Sequence, residues 1–139
     1  MSLKVNVNCY RVIESFKTYI SMKEFMLFIR SEENPKANLS PEQLQEHIEK
    51  VGGFIKRLMD EGRMKSAQPL EMEGRILSYQ NGKIIDGPFN ETKEVISGYY
   101  HLLAENLEEA IEITKGDPRF AEGIWRVEVR PIKKVEGIN

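Results

Sequence analysis

The segment Lys23–Arg30, KEFMLFIR, constrains the fold most, because it predicts a strand with large apolar side chains on both of its faces. One face would carry Phe25, Leu27 and Ile29, and the other Met26 and Phe28. A strand that is apolar on both sides needs cover on both sides. The chain must therefore build a sheet with helices on one face and further apolar cover on the other.

The clearest local signal is the start of a helix at Ser40, which a proline and then a capping glutamine follow. Gly62 ends this helix. Its apolar spacing predicts a buried stripe of Leu44, Ile48, Val51, Ile55 and Leu58, with Phe54 and Met59 at the margins. Gly52 and Gly53 inside the helix each cost about 1 kcal/mol relative to alanine, so we expect close backbone packing or a bend there.

The segments after this helix predict an edge strand, a hairpin, a central strand, a second helix and a closing strand. Their sequences are MKSAQPL, RILSYQNGKIID, VISGYYHLLA, NLEEAIEITK and GIWRVEVRPI. Asn81-Gly82 supplies the turn of the hairpin, because a tight turn with the right twist needs two positive φ angles. Asn106 with Glu109 caps the second helix, which runs to about Lys115. Trp125 and Phe120 are expected in the core.

This order predicts a ferredoxin-like α+β fold, an antiparallel sheet with two helices on one face. On the central strand, either Tyr99 and Leu103 or Tyr100 and Leu102 face away from the helices, depending on the register. We expect a second copy of the chain to cover that face, which gives a two-fold homodimer and a dimeric α+β barrel.

Three parts of the chain differ in character. Residues 22–132 form the predicted domain, and residues 133–139 look like a frayed tail. Residues 1–21 form an N-terminal extension, for which two interpretations stay open: a strand followed by a short helix, or partly a remnant of an expression vector.

Composition excludes several classes of function. The 139 residues carry a net charge of −2, which gives no electrostatic basis for binding nucleic acid. The single cysteine, Cys9, cannot form an internal disulfide, and the two histidines, His47 and His101, form no metal-ligand cluster with it. No apolar run is long enough to span a membrane. We therefore expect a cytoplasmic protein with no metal and no cofactor.

The turn that begins at Asp86 is the most unusual local motif. An aspartate in a turn usually accepts a hydrogen bond from the N–H two residues on, but that residue is Pro88, which has none. Gly87 before the proline stiffens the turn, and Phe89 would anchor it. Asp86 therefore either presents its carboxylate to a ligand or a histidine, or it bonds to a nearby backbone N–H or a lysine.

Several stretches together resemble the YCII-related superfamily, in the branch named for its Asp-Gly-Pro-Phe signature. They are MKEFMLFIR, LSPEQLQEHIEKVGGFIKRLMDEGRM, IIDGPFNETKEVISGYYHLLAENLEEAIEITKGDP and VEVRPI, which span about residues 22–132. The resemblance implies a ferredoxin-like fold, a dimeric α+β barrel and a pocket beside the sheet. It also implies that a histidine with an acidic partner forms the candidate active site. That histidine corresponds to His47, and Asp86 is the better-matched acid.

His47 and Asp86 are thus the candidate catalytic residues, and a cavity shared by both would favour a ligand site. A histidine exchanges its proton near neutral pH, so His47 is a candidate acid or base; otherwise it is a core-edge histidine bonded to backbone. Tyr99, His101 and Arg126 are candidate ligand-binding residues, with a cross-strand salt-bridge network as the alternative. The functions considered are a lyase or isomerase acting on a small molecule, a non-catalytic dimeric metabolite-binding module, and a purely structural dimer.

Overall fold

The computed structural model describes residues 22–32, 35–87 and 94–139. These residues form six strands, two α-helices and one 3-10 helix. In chain order they are β1 Lys23–Glu32, α1 Pro41–Asp60, β2 Met64–Pro69, β3 Ile76–Gln80, β4 Lys83–Gly87, β5 Glu94–Ala104, α2 Leu107–Thr114, the 3-10 helix Pro118–Glu122 and β6 Arg126–Pro131. The predicted N-terminal extension and Cys9 lie outside the described residues.

The sheet confirms the predicted fold. Its strand order is β2-β5-β1-β6, and every neighbouring pair is antiparallel. With the β3–β4 hairpin set aside, the order along the chain is strand, helix, strand, strand, helix, strand, which is the ferredoxin-like arrangement. None of the helices in the described part of the chain is both long and apolar enough to cross a membrane.

Helix α1 begins as predicted, but it buries a face rotated from the predicted stripe. The Ser40 hydroxyl accepts from the Gln43 N–H at 3.1 Å, and the Gln43 side chain accepts from the Ser40 N–H at 2.9 Å. The buried residues of α1 are His47, Val51, Phe54 and Leu58. Ile48, predicted to be buried, is 51% exposed. The buried face is rotated toward Phe54, whose ring packs on the Tyr100 ring with centroids 6.4 Å apart.

The glycines within α1 have open space around them. A Cβ built at Gly52 or at Gly53 would meet no atom within 4 Å. Of the two alternatives, close backbone packing is therefore wrong at both positions, and a bend stays a prediction.

The core lies between the two helices and one face of the sheet. It consists of Phe25, Leu27, Ile29, Phe54, Leu58, Met64, Tyr100, Leu102, Ala104, Ala110 and Trp125. Because Tyr100 and Leu102 belong to it, alternation along β5 places Tyr99, His101 and Leu103 on the helix-free face. Trp125 is buried as expected, whereas Phe120 is 44% exposed, so the prediction that it lies in the core is wrong.

The hairpin of β3 and β4 is confirmed, with φ angles of 49° at Asn81 and 79° at Gly82. It forms a two-stranded sheet of its own, and every residue from Ile76 to Gln80 is exposed. The exposed residues of the hairpin include large apolar side chains, with Tyr79 and Ile84 each 73% exposed. None of the described hydrophobic side chains that pack against the core belongs to this hairpin.

Candidate functional site

A cavity of about 220 Å³ lies between α1 and the sheet. Most of its lining is apolar and comes from α1 and the strands: Ile29, Ile48, Val51, Ile55, Ala67 and Pro69. Its polar residues are Lys36, His47, Gln68, Tyr100 and Arg119. An adjoining cavity of about 110 Å³ shares five lining residues with it, namely Ile29, Lys36, His47, Pro69 and Arg119. These two cavities, joined by the shared residues, form what we call the α1 cleft.

Two glycines help to keep the larger cavity open. Gly98 of β5 lies between its register partners Ile29 of β1 and Pro69 of β2, and all three line the cavity. Gly52 lines it from α1. A side chain at either position would occupy space near the cavity, so the missing side chains contribute to its volume.

His47 is held in the cleft by a carboxylate and an indole. Its Nδ1 donates to Oε1 of Glu122, which is the last residue of the 3-10 helix. The other oxygen of Glu122 accepts from the indole Nε1 of Trp125 at 2.5 Å. The Trp125 ring also stacks on the imidazole, with centroids 5.7 Å apart and planes 19° from parallel. Since the His47 side chain is only 5% exposed, these contacts leave the ring little freedom.

The arrangement of His47 resembles the way enzymes orient a proton-transferring histidine. A carboxylate that accepts from Nδ1 selects the tautomer in which Nε2 is the acceptor, and it fixes the orientation of the ring. Among the described residues, Nε2 of His47 has no hydrogen-bond partner. A ligand in the cleft can therefore exchange a proton with this nitrogen, provided that it comes within about 3 Å of it.

Arg119 is another polar residue of the cleft, and its side chain is 12% exposed. Its guanidinium carbon lies 5.5 Å from the ring centroids of both Tyr100 and Trp125, so the cation is held between two aromatic rings. Nη1 donates to the Tyr100 hydroxyl and to Oδ2 of Asp117, the latter at 3.2 Å. Burial raises the pKa of Tyr100 to about 12, so its hydroxyl keeps its proton at neutral pH.

The structure places Asp86 away from this cleft. Asp86 lies in β4, and its side chain is 55% exposed. Its carboxylate accepts a hydrogen bond from Nη1 of Arg75 at 3.4 Å. Asp86 is not among the described residues that line the cleft, so the cleft is not a cavity shared by His47 and Asp86. Arg75 itself borders a more open depression of about 540 Å³ beside the hairpin. Pro88 and Phe89 of the signature lie outside the described residues.

The predicted ligand-binding residues lie on the other face of the sheet. Tyr99 and His101 share the helix-free face, where Nε2 of His101 lies 2.9 Å from Oε1 of Glu24. On β6, Nε of Arg126 donates to Glu94 at 3.0 Å. The geometry matches the alternative of a cross-strand salt-bridge network, and a role of these residues in ligand binding stays a prediction.

Arg119, which lines the cleft, and Glu122, which holds His47, were not among the residues singled out from the sequence. Asp117-Pro118 was interpreted only as the end of a helix, although aspartate followed by proline is also a start signal. Asp117 in fact caps the 3-10 helix by accepting from the Arg119 N–H at 2.9 Å. That signal predicts the turn, but it does not indicate which side chains the turn directs at His47.

Among the described residues, no group of three or more His, Cys, Asp or Glu side chains is placed to hold a metal ion.

Two comparisons with known proteins bear on identity. No curated protein matches the chain. The family model of the YCII-related domain matches residues 24–135, which is most of the chain and nearly the whole region that carries the resemblance. The chain therefore belongs to the YCII-related family.

Proposed function

We propose that this protein binds a small molecule in the α1 cleft and transfers a proton to or from it, as a lyase or isomerase does, with His47 as the acid or base. The observation that carries the proposal is the pairing of His47 Nδ1 with Glu122 at the wall of a largely apolar cavity. Positioned proton transfer of this kind accelerates a reaction by about 10²–10⁴-fold.

The proposed roles of the two carboxylates differ. Glu122 is the positioning residue, because it contacts the imidazole and leaves Nε2 for the ligand. Asp86 was expected in that role, but its described partner is Arg75. We keep the assignment to the Asp-Gly-Pro-Phe branch as a proposal that rests on residues 86–89 of the sequence. A cytoplasmic location likewise stays a prediction from the single cysteine.

The test begins with a thermal-shift screen of small metabolites against the wild-type chain. Each molecule that stabilises the protein is then incubated with it in D₂O, and loss of its C–H signals is followed by ¹H NMR. We expect exchange with the wild type and at least a hundredfold slower exchange with His47→Gln, while binding persists. His101→Gln is the comparison variant, because it removes the other histidine, on the opposite face of the sheet, and so separates the proposed role of His47 from the predicted ligand-binding role of His101.

The outcomes separate the two candidate functions. Equal exchange by the wild type and His47→Gln would reject the acid/base role. Binding to the wild type without any exchange of protons would favour the alternative, a non-catalytic metabolite-binding module. If Asp86→Asn slows the exchange as much as His47→Gln does, the carboxylate of Asp86 takes part in the reaction.

We also propose that the chain forms a homodimer, as expected for a dimeric α+β barrel. The exposed apolar side chains of the hairpin support this, because an isolated two-stranded hairpin is marginally stable in water and needs packing against other structure. Analytical ultracentrifugation at micromolar concentration should give a dimer that Ile84→Asp shifts toward the monomer. Ile138→Asp is the control, since Ile138 is also exposed, at 80%, but lies in the tail. A monomeric wild type would contradict the proposal.

A further inference from the structure

We propose that the ligand of the α1 cleft carries a carboxylate and that Arg119 binds it. This inference rests on the proposed function, because it names the chemical class of the molecule that the cleft accepts. Arg119 is a wall residue of both cavities, and its side chain is 12% exposed.

The first argument comes from the hydrogen-bond donors of Arg119. A guanidinium group has five N–H donors, and both of its described side-chain partners, Tyr100 and Asp117, accept from Nη1. Within the part of the chain that the structure describes, neither the buried Nε nor Nη2 has a hydrogen-bond partner. A buried donor without an acceptor destabilises a protein, so an acceptor is expected there. Nε and Nη2 point from one edge of the group, and two carboxylate oxygens match that edge.

The second argument comes from rigidity. The rings of Tyr100 and Trp125 lie 5.5 Å from the guanidinium carbon, and Asp117 anchors Nη1. The plane of the group is therefore set before a ligand arrives. A preorganised arginine loses little freedom when it forms a two-point contact, which favours planar acceptors such as carboxylates.

The third argument comes from charge. No aspartate or glutamate is among the described residues that line either cavity. Glu122 is already bonded to His47 and Trp125, and Asp117 to Arg119. Lys36 adds a second positive charge to the wall and pairs with no described carboxylate. The lining thus favours an anion.

The larger cavity of the cleft has room for a small molecule. A volume of about 220 Å³ corresponds to about seven water volumes at roughly 30 Å³ each. The wall beside the polar groups is aliphatic, with Ile29, Val51 and Ile55. The ligand class is therefore a short carboxylic acid with an apolar body.

The experiment uses Trp125, the single tryptophan of the chain, as the reporter, because its ring faces both His47 and Arg119. Its indole N–H signal and its fluorescence are titrated with butyrate and with butyramide, which has the same shape and no charge. We expect butyrate to bind at least tenfold more tightly. Equal affinities would overturn the carboxylate proposal while leaving ligand binding in the cleft intact, and binding of neither compound would overturn it as well.

Variants locate the contact. Arg119→Lys keeps the charge but removes the two-point edge, and we expect at least a tenfold loss of butyrate affinity with little change for butyramide. Arg57→Lys is the matched control, because Arg57 also lies over an aromatic ring, that of Phe54 at 5.6 Å, and lines neither cavity. Unchanged butyrate affinity in folded Arg119→Lys would refute the assignment. If that variant does not fold, the wild-type comparison of butyrate with butyramide still decides.

A competition experiment with inorganic phosphate tests whether the cleft prefers a carboxylate to another anion. Displacement of butyrate by a lower concentration of phosphate would show that the cleft prefers a tetrahedral anion, which contradicts a carboxylate ligand. The deuterium-exchange assay with His47→Gln is independent of these titrations. Failure of the acid/base proposal and failure of the carboxylate proposal are therefore distinguishable.

Discussion

Replacing Gly98 by alanine tests how the sheet and the cleft are built. Gly98 lies in β5, between Ile29 and Pro69 in the register. A Cβ at this position would lie 2.8 Å from the carbonyl oxygen of Gln68 and 3.4 Å from Cα of Pro69. Both atoms belong to the backbone of β2, so no side chain can turn away to relieve the contact.

The size of the effect follows from that geometry. The contact with Gln68 is about 0.6 Å shorter than the 3.4 Å at which a Cβ contact becomes ordinary. β2 has little freedom to move away, because the Leu70 N–H donates to the Ser97 carbonyl at 2.9 Å beside it. Forcing one extra carbon into packed structure costs about 1–3 kcal/mol. Alanine also restricts the unfolded chain, which stabilises the folded state by about 0.5–1 kcal/mol. We expect Gly98→Ala to lower the free energy of unfolding by about 0.5–2 kcal/mol.

The assay is thermal unfolding followed by circular dichroism, with urea denaturation as a second measurement. For a domain of this size the loss corresponds to a Tm lower by roughly 2–8 °C. Gly53→Ala is the matched control, because a Cβ there meets nothing within 4 Å. Alanine favours a helix interior over glycine, so this variant should be more stable by about 0.5–1 kcal/mol. If Gly98→Ala proved as stable as the wild type, the backbone contact in β2 could not be as close as described.

Two further predictions concern a charged residue and the core. The hydrogen bonds from Lys134 and Lys65 lower the pKa of Glu24 from 4.5 to about 2. Because the folded pKa lies below the unfolded one, the stabilisation is present above pH 4.5 and is lost as the pH falls through about 2. Urea denaturation should show Glu24→Gln less stable by about 1 kcal/mol at pH 7, a value reduced by the exposure of both lysines. The difference should shrink as the pH falls through about 2, and a gap independent of pH would refute this. Leu102 is 0% exposed, so Leu102→Ala should cost about 2–5 kcal/mol in the same assay, and a loss below about 1 kcal/mol would contradict its place in the core.

Local signals predicted most of the secondary structure. The capping box at Ser40 and the Asn81-Gly82 turn depend on residues a few positions apart, and both are confirmed. The buried face of α1 was harder to predict, since Phe54 and Ile48 are both apolar and only contact with Tyr100 distinguishes them. Apolar periodicity indicates that a helix has an inner face, but packing sets its angle.

The candidate site divides in the same way. The resemblance to the family pointed to His47, and the structure places it in a cleft with Glu122. Asp86 is closer to His47 in the chain than Glu122 is, and its motif is the more distinctive, yet it contacts Arg75 instead. The acidic partner of a histidine depends on which loop the fold brings beside the helix. A sequence pattern does not indicate how far apart two side chains lie in the folded protein.

The amino-acid sequence by itself determined the helices, the hairpin, the alternation of the strands and hence the α+β fold, because each depends on capping, turn conformation or side-chain spacing over a few residues. Tertiary structure decided which side chains meet at the α1 cleft. It brings Glu122 to His47 across 75 positions of the chain and seats Arg119 between two aromatic rings. Such contacts form only when α1, the 3-10 helix and the sheet pack together, and they vanish in any isolated segment.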